Sequence, residues 1–317
     1  MYREKKVCVV IPTYNEEKLI TITIETIPRF VDKIIVVDDA SKDRTVEIVK
    51  EISEKNPKVQ LIELEVNDGV GTAVRTGYIW CRENNMDIAV VMNGDNQMDP
   101  KDLPALLNPL VEDRADYTKG NRLVTGEAWQ IIPRIRYLGN SVLTFMTKIA
   151  SGYWHVTDSQ SGYTAMNKKC LHTLPLEYIY HGYGMPNDIL VRCNIYDMRV
   201  MDVPIRPVYN VGEESNIKIH RVIFSISILI LRLFFRRMTQ KYIIRDFHPL
   251  VLFHMMGFSL MAVNIPLIIR LFLKWYYFDY IPSINALAIL FCSFAGMQLI
   301  LFALLFDMEA NKELKGK

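Results

Sequence analysis

The sequence predicts an α/β fold, a mostly parallel sheet with helices on both faces, followed by two membrane-spanning helices. Two observations carry this. Up to about residue 205, short apolar runs alternate with stretches of helical periodicity. After residue 245, two long apolar segments run with hardly a charge between their ends.

The first elements follow in order. Residues 7–11 read as a buried strand. Asn15 is expected to cap a helix that carries Ile20, Ile24 and Ile27 on one face and stops at Pro28. A second strand, 33–37, ends in Asp38 and Asp39. Residues 43–53 are helical, 59–64 form a third strand and 71–83 a helix. A fourth strand, 87–92, ends in Asn93-Gly94-Asp95. Strand and helix alternating in this way give a parallel sheet, and ligands bind such sheets beyond the carboxyl ends of the strands. Asp39 and Asp95 both stand there.

Residues 249–273 and 284–306 are each long enough to cross a bilayer. The linker between them, from Lys274 to Pro282, is crowded with aromatics, as at a membrane–water boundary. Arg232, Arg236, Arg237, Lys241 and Arg245 precede the first span, and Lys312, Lys315 and Lys317 follow the second. The positive-inside rule therefore expects both termini in the cytoplasm. Residues 221–241 are too short and too basic at one end to span. They read as an interfacial helix, with Phe234 and Phe235 at the acyl boundary and arginines against lipid phosphates. The other reading is a helix packed on the catalytic domain. The expected division is 1–215 for the catalytic domain, 216–245 for the interfacial segment and 246–317 for the spans and a short cytoplasmic tail.

Composition narrows the class. The five cysteines are scattered without zinc or disulfide spacing, which fits a reducing compartment. The N-terminus lacks the features of a signal peptide. The formal net charge of +2 says little by itself, because what matters is where the charge sits, and no nucleic-acid partner is expected.

Four turns carry chemistry. In Pro12-Thr-Tyr-Asn-Glu16, Tyr14 can border a base and Glu16 can accept from base or ribose. In Asp38-Asp39-Ala40-Ser41, Asp39 can accept from a nucleobase edge or ribose. The alternative role is a helix cap, which Ser41 or Asp43 can also fill. Between Asn67 and Gly77, glycines at a loop-to-helix junction let backbone approach an anion. The spacing is neither a dinucleotide fingerprint nor a P-loop. In Asn93-Gly-Asp-Asn-Gln97, side-chain oxygens can place a hard cation against a diphosphate.

With these motifs in this order, residues 5–210 resemble the family-2 glycosyltransferases of GT-A fold (nucleotide-diphospho-sugar transferases). Within them, the chain is similar to the dolichyl- and polyprenyl-phosphate mannose and glucose synthases. Lys119-Gly-Asn-Arg122 looks like the family's Gly-x-Arg segment. Asp158-Ser-Gln-Ser-Gly-Tyr163 looks like its Asp-x-x-Ser-Gly-aromatic motif. The resemblance implies that Pro12, Tyr14, Glu16, Asp39 and Gly71 hold the nucleotide sugar. It implies that Asn93, Asp95 and Gln97 surround a divalent cation, Mg2+ or Mn2+, and the diphosphate. Arg122, with Asp158 and Ser161, would meet the acceptor phosphate. Asp95, Arg122 and Asp188 form the implied catalytic set. Two positions depart from the family. Asn93 replaces the first carboxylate of its Asp-x-Asp, and Thr164 stands where an arginine is frequent.

The implied reaction is inverting transfer of a hexose from a UDP- or GDP-linked donor to a polyprenyl phosphate at the cytoplasmic face. One alternative is a hydroxyl acceptor with Asp188 as general base. Another, kept open by Asn93, is a non-catalytic nucleotide-sugar-binding scaffold. A processive synthase fits poorly with two spans and no Gln-x-x-Arg-Trp, and a homo-oligomer is left open.

Overall fold

A computed structural model describes residues 1–124, 134–208 and 219–316. The chain forms two compact units, Met1–Arg237 with Glu313–Lys317, and Met238–Lys312. The expected boundary at 215/216 lies outside the described residues.

The first unit is built on a seven-stranded sheet. In chain order the strands are β1 (Val7–Thr13), β2 (Lys33–Asp38), β3 (Val59–Glu63), β4 (Ile88–Val91), β5 (Tyr117–Asn121), β6 (Thr164–Asn167) and β7 (Val200–Pro204). Across the sheet they run β3-β2-β1-β4-β6-β5-β7. All neighbours are parallel except β6, which is antiparallel to both β4 and β5. The helices are α1 (Ile20–Glu25), α2 (Thr45–Lys55), α3 (Val70–Glu83), α4 (Leu103–Val111), α5 (Arg134–Ser151), α6 (Lys168–Thr173), α7 (Met185–Ile195) and α8 (Ile219–Thr239).

Strand β1 is buried along its whole length. That is why it reads as a continuous apolar run rather than an alternating one. Val7, Val9 and Ile11 pack with Ile20, Ile24 and Leu103 on one face. Cys8 and Val10 pack with Ala73, Val74 and Tyr78 on the other. Helix α3 approaches β1 so closely that a Cβ at Gly77 would lie 2.2 Å from Val10 Cγ1.

Two expected helix starts move. Helix α1 begins at Ile20, not after Asn15. Asn15 adopts φ +56° in a turn, a left-handed position that asparagine tolerates. Helix α2 begins at Thr45, two residues later than expected, because Asp43 is used ahead of it. Its carboxylate accepts from the Thr45 N–H at 3.0 Å and the Thr45 hydroxyl at 2.6 Å.

Asp116, just before β5, is fully buried. It accepts from the Arg199 backbone N–H at 2.9 Å, Arg199 Nε at 3.1 Å and Asn167 Nδ2 at 3.2 Å. Burial alone would raise this carboxyl, but the Arg199 and Asn167 hydrogen bonds and the Lys169 charge hold it down at about 2. A carboxyl depressed on folding stabilises above its unfolded pKa of about 4, and the contribution disappears as pH falls toward 2. Asp116→Asn should therefore lower stability by about 2 kcal/mol at pH 6 and by far less at pH 2.5, read from urea midpoints.

The short tail after the second span pairs with the sheet. Lys315 bridges Val200 in parallel, and the Gly316 N–H donates to the Val200 carbonyl at 3.0 Å. Strand β7 is a sheet edge, and the tail satisfies hydrogen-bonding groups that an edge leaves open. Helix α8 buries Ile226, Ile230, Leu233 and Phe234 and exposes Phe224, Leu231 and Phe235. Phe234 thus packs inward, against expectation, and Phe235 faces out.

The second unit starts in a π-helical turn, Gln240–Arg245. Helices α9 (Leu250–Phe278) and α10 (Ser283–Ala310) then fold back on each other as a hairpin. Both are long and apolar enough to cross a membrane, and each runs about a turn further than expected. Their outward residues are large and apolar, including Phe272, Leu287 and Phe294. Between the helices, Asn264 Nδ2 donates to Ser293 Oγ at 2.9 Å. A Cβ at Gly257 would lie 3.0 Å from the Gly296 carbonyl oxygen, so the backbones approach closely there. At the open end, the Tyr242 hydroxyl donates to Asp307 at 2.6 Å. Asn311 donates to Tyr242 at 2.8 Å and accepts from Lys241 at 3.1 Å.

Candidate active site

The carboxyl ends of β1, β2 and β4 lie side by side because the three strands are consecutive in the sheet. The turn after β1 is laced to the turn after β2. Asn15 N–H donates to Ser41 Oγ at 2.9 Å, and Lys42 N–H to Asn15 Oδ1 at 2.8 Å. Glu16 N–H donates to Thr45 Oγ1 at 2.8 Å, and Glu17 N–H to Asp43 at 3.1 Å. Pro12 and Glu16 are thereby fixed at the strand end, while Tyr14 stays 41% exposed and free to border a ring.

Asp38 and Asp39 divide the roles that the sequence left open. Asp38 takes the Ser41 N–H at 2.9 Å. Asp39 accepts the N–H groups of Asp68 and Gly69, both at 2.9 Å. Burial raises its carboxyl despite those bonds. It anchors the glycine loop, and each oxygen keeps a lone pair for a further donor. Gly69 has φ +98°, which glycine adopts without strain. A Cβ at Gly71 would lie 2.0 Å from the Tyr180 carbonyl oxygen, and the Gly71 N–H donates to the His181 carbonyl at 2.7 Å.

The third strand end carries Asn93, Asp95 and Gln97. Asp95 Oδ1 accepts the Gln97 N–H at 3.1 Å, and Asn96 is left-handed with φ +57°. Gly94 packs on β1, where a Cβ would sit 3.0 Å from Thr13 Oγ1. Glu16 then lies near Asp95. Burial first, and then the Asp95 and Asp43 charges, push the Glu16 carboxyl up to about 7. Among the described residues no group of three His, Cys, Asp or Glu side chains is arranged to hold a metal ion by itself. A divalent cation would here take one carboxylate and two amide oxygens, and the rest of its shell from phosphate and water. That donor set suits a hard, oxygen-seeking ion, and the like charges of Asp95 and Glu16 favour one.

The Asp158–Tyr163 motif closes the opposite side. Asp158, fully buried, accepts from Arg122 through Nε at 2.8 Å, Nη2 at 3.1 Å and the backbone N–H at 3.1 Å. Burial would raise this carboxyl, but Arg122 and Lys119 hold it below its usual range. Lys119, equally buried, donates to the Ser161 carbonyl. Burial lowers its ammonium to about 8, against the pull of Asp158 and Asp202. Gly162 follows, and a Cβ there would lie 3.7 Å from Asn93 Oδ1. Tyr163 donates to the Asp99 carbonyl at 3.1 Å. Arg122, Asp158 and Ser161 are therefore joined, with Arg122 side-chain exposure at 23%. Thr164 turns inward, its hydroxyl 3.4 Å from Tyr78, so no cation stands at the position where the family pattern has arginine.

Asp188 differs most from expectation. It is 2% exposed, and its Oδ2 accepts from Arg192 Nε at 2.8 Å and Tyr180 N–H at 2.9 Å. The sequence reading also passed over Thr45, Lys119 and the Tyr180–His181 backbone. Lys119 stood inside a motif already noted. The Tyr180 and His181 contacts are made by carbonyls and amides, which leave no residue-type signal.

Comparison with known proteins places this geometry. Residues 8–174 match the model for glycosyl transferase family 2. A UDP-N-acetylglucosamine–dolichyl-phosphate N-acetylglucosaminyltransferase from Methanococcus voltae is 33% identical, covering 65% of this chain and 87% of that one. An undecaprenyl-phosphate mannosyltransferase from Micrococcus luteus is 30% identical over 63% of this chain and 82% of its own. In fold, glucosyl-3-phosphoglycerate synthase from Mycobacterium tuberculosis, solved with Mn2+ and uridine diphosphate, superposes with a TM-score of 0.54. It covers 74% of this chain and 80% of its own at 21% identity. The chain belongs to glycosyl transferase family 2 and is a glycosyltransferase of GT-A fold.

Proposed function

We propose that the chain transfers a hexosyl group, N-acetylated or not, from a UDP- or GDP-linked donor to a polyprenyl or dolichyl phosphate. Transfer takes place at the cytoplasmic membrane face, with inversion. The observation that carries the acceptor half is Asp188. A hydroxyl acceptor calls for a general base, and the acid expected to serve is buried against Arg192. A phosphate monoester needs no base, because with a second pKa of about 6 it is mostly dianionic at pH 7. The relatives named for dolichyl and undecaprenyl phosphate, and the two apolar helices, support the same reading.

In this mechanism Pro12, Tyr14, Glu16, Asp39 and Gly71 hold the nucleotide. Asn93, Asp95 and Gln97 hold a divalent cation, which when bound neutralises charge on the leaving diphosphate. Arg122, fixed in direction by Asp158, faces the acceptor phosphate at the mouth formed with Ser161. An acceptor oxygen forms the new bond to the anomeric carbon as the bond to the diphosphate breaks, its electron pair leaving with the nucleotide. The residues contribute alignment and charge, not proton transfer.

Purified protein, a polyprenyl phosphate and Mn2+ should move label from one member of a panel of UDP- and GDP-sugars into an acid-labile lipid. Label that enters only a hydroxyl acceptor would sink this reading. For orientation, the basic residues flanking the spans favour both termini in the cytoplasm. Tyr277, 70% exposed in the last turn of α9, then faces the other side. The native cysteines are buried, so Tyr277→Cys should react with an impermeant maleimide from outside intact cells. Reaction only after permeabilisation would invert the topology.

A further inference from the structure

The segment leading into α7 is held from behind by two buried side chains. Arg192, 2% exposed, donates to the carbonyl of Tyr178 and, at 3.5 Å, to that of Pro175. Its Nε is paired with Asp188 Oδ2, which also takes the Tyr180 N–H. Among the described residues Asp188 Oδ1 has no hydrogen-bond partner, and it lies 3.8 Å from Arg236 Nη1. From the front, the same segment is the surface on which the glycine loop rests. The His181 carbonyl accepts from Gly71, and the Tyr180 carbonyl occupies the space where any side chain at 71 would go. The His181 ring nitrogen Nδ1 lies 3.1 Å from the Asp68 carbonyl. Asp68 and Gly69 in turn donate to Asp39.

These contacts form one continuous chain, from Arg192 and Asp188 through Tyr180 and His181 to Gly71, Gly69 and Asp39. We infer that Asp188 is a positioning residue for the nucleotide subsite: with Arg192 it sets the backbone against which the Gly69–Gly71 loop and Asp39 are placed. The inference rests on the donor half of the proposed function, and it shares with the acceptor half only the premise that Asp188 is not a base, which the lipid-labelling experiment tests separately. It assigns a different role from that of a proton acceptor, and the two roles predict opposite results. A base must bear a free lone pair toward the reacting hydroxyl. The positioning role needs an acceptor for the Tyr180 N–H and a partner for Arg192.

Two variants separate the roles. Asp188→Asn keeps an oxygen that can accept from Tyr180 but cannot take a proton. Its kcat should stay within about threefold of wild type, where loss of a base costs on the order of a hundredfold or more. Asp188→Ala combined with Arg192→Leu removes the device without leaving a buried charge unpaired. The double variant should bind UDP and GDP, each titrated with Mn2+, about tenfold more weakly. Amide hydrogen exchange at residues 68–71 should accelerate while β1 and β4 stay as protected as in wild type.

A collapse of kcat in Asp188→Asn with unchanged nucleotide affinity would overturn the positioning role. So would a folded double variant with wild-type affinity and wild-type exchange at 68–71. If the double variant loses protection in β1 and β4 as well, the Asp188→Asn result decides. Wild-type protein that binds neither nucleotide would refute the donor reading, and the exchange comparison would still decide this one.

Discussion

Asp95→Ala should lower sugar transfer by about a hundredfold or more, with the fold retained. Asp95 is the carboxylate of the 93–97 turn, and its partners there, Asn93 and Gln97, bring only neutral oxygens. Removing it takes away the turn's one full negative charge from the place where a divalent cation and a departing diphosphate would meet. Loss of one preorganised electrostatic group at such a position typically costs about 3 kcal/mol of transition-state stabilisation. The reciprocal change makes the test specific. Asn93→Asp adds a second carboxylate facing Gly162, and should lower the Mn2+ concentration at half-maximal activity by about tenfold. Wild-type activity in Asp95→Ala, or an unmoved Mn2+ requirement in Asn93→Asp, would remove this turn from the mechanism.

Asp158→Ala should destabilise the first unit by about 3 kcal/mol. Asp158 is fully buried and takes three donors from Arg122, and its charge also faces Lys119. Deleting one member of a buried pair leaves the other desolvated without its partner, which costs more than the pair was worth. Asp202 remains, but its Oδ2 already serves Thr157 and Asn121. For a unit of this size the change corresponds to roughly 10 °C in Tm. Arg122→Met alone should cost less, since it removes the more exposed charge and leaves Lys119 to face the carboxylate. Equal losses in the two variants would show that the effect is packing rather than an orphaned charge.

The parallel half of the sheet was legible because β1, β2 and β4 are buried on both faces and end in acidic or amide turns, while the half-exposed edge strand β3 still shows an apolar run. Residues 7–11, 33–37 and 59–64 lie where β1, β2 and β3 form. Strand β6 was not legible, since Thr164–Asn167 is four residues long and lacks an apolar run. It is fixed by pairing with residues of β4 and β5 that lie 73 or more and 45 or more positions earlier in the chain. Register at that distance leaves no local pattern. Helix starts at Ile20 and Thr45 shifted because Asn15 is spent on the neighbouring turn, and Asp43 on the Glu17 N–H of that turn and on Thr45 ahead of its own helix. The candidate site follows the same division. Which residues stand at the strand ends was legible from their types. That Asp39 holds a loop, Asp158 an arginine and Asp188 a backbone amide depends on distant partners, which residue type cannot reveal.

The pairing of Lys315 with Val200 closes a very long loop of chain, since the chain passes through residues 238–312 before returning to β7. Closing so large a loop from a flexible chain carries an entropy penalty that grows with the logarithm of its length. Here much of that penalty is met inside the second unit. The Tyr242, Asp307, Asn311 and Lys241 hydrogen bonds bring the two ends of the hairpin together, so residues 242–310 drop out of the effective loop. The difference amounts to about 1 kcal/mol. The last strand-like residues of the chain are thus held in place at a distance, by a knot of side chains that never touches them.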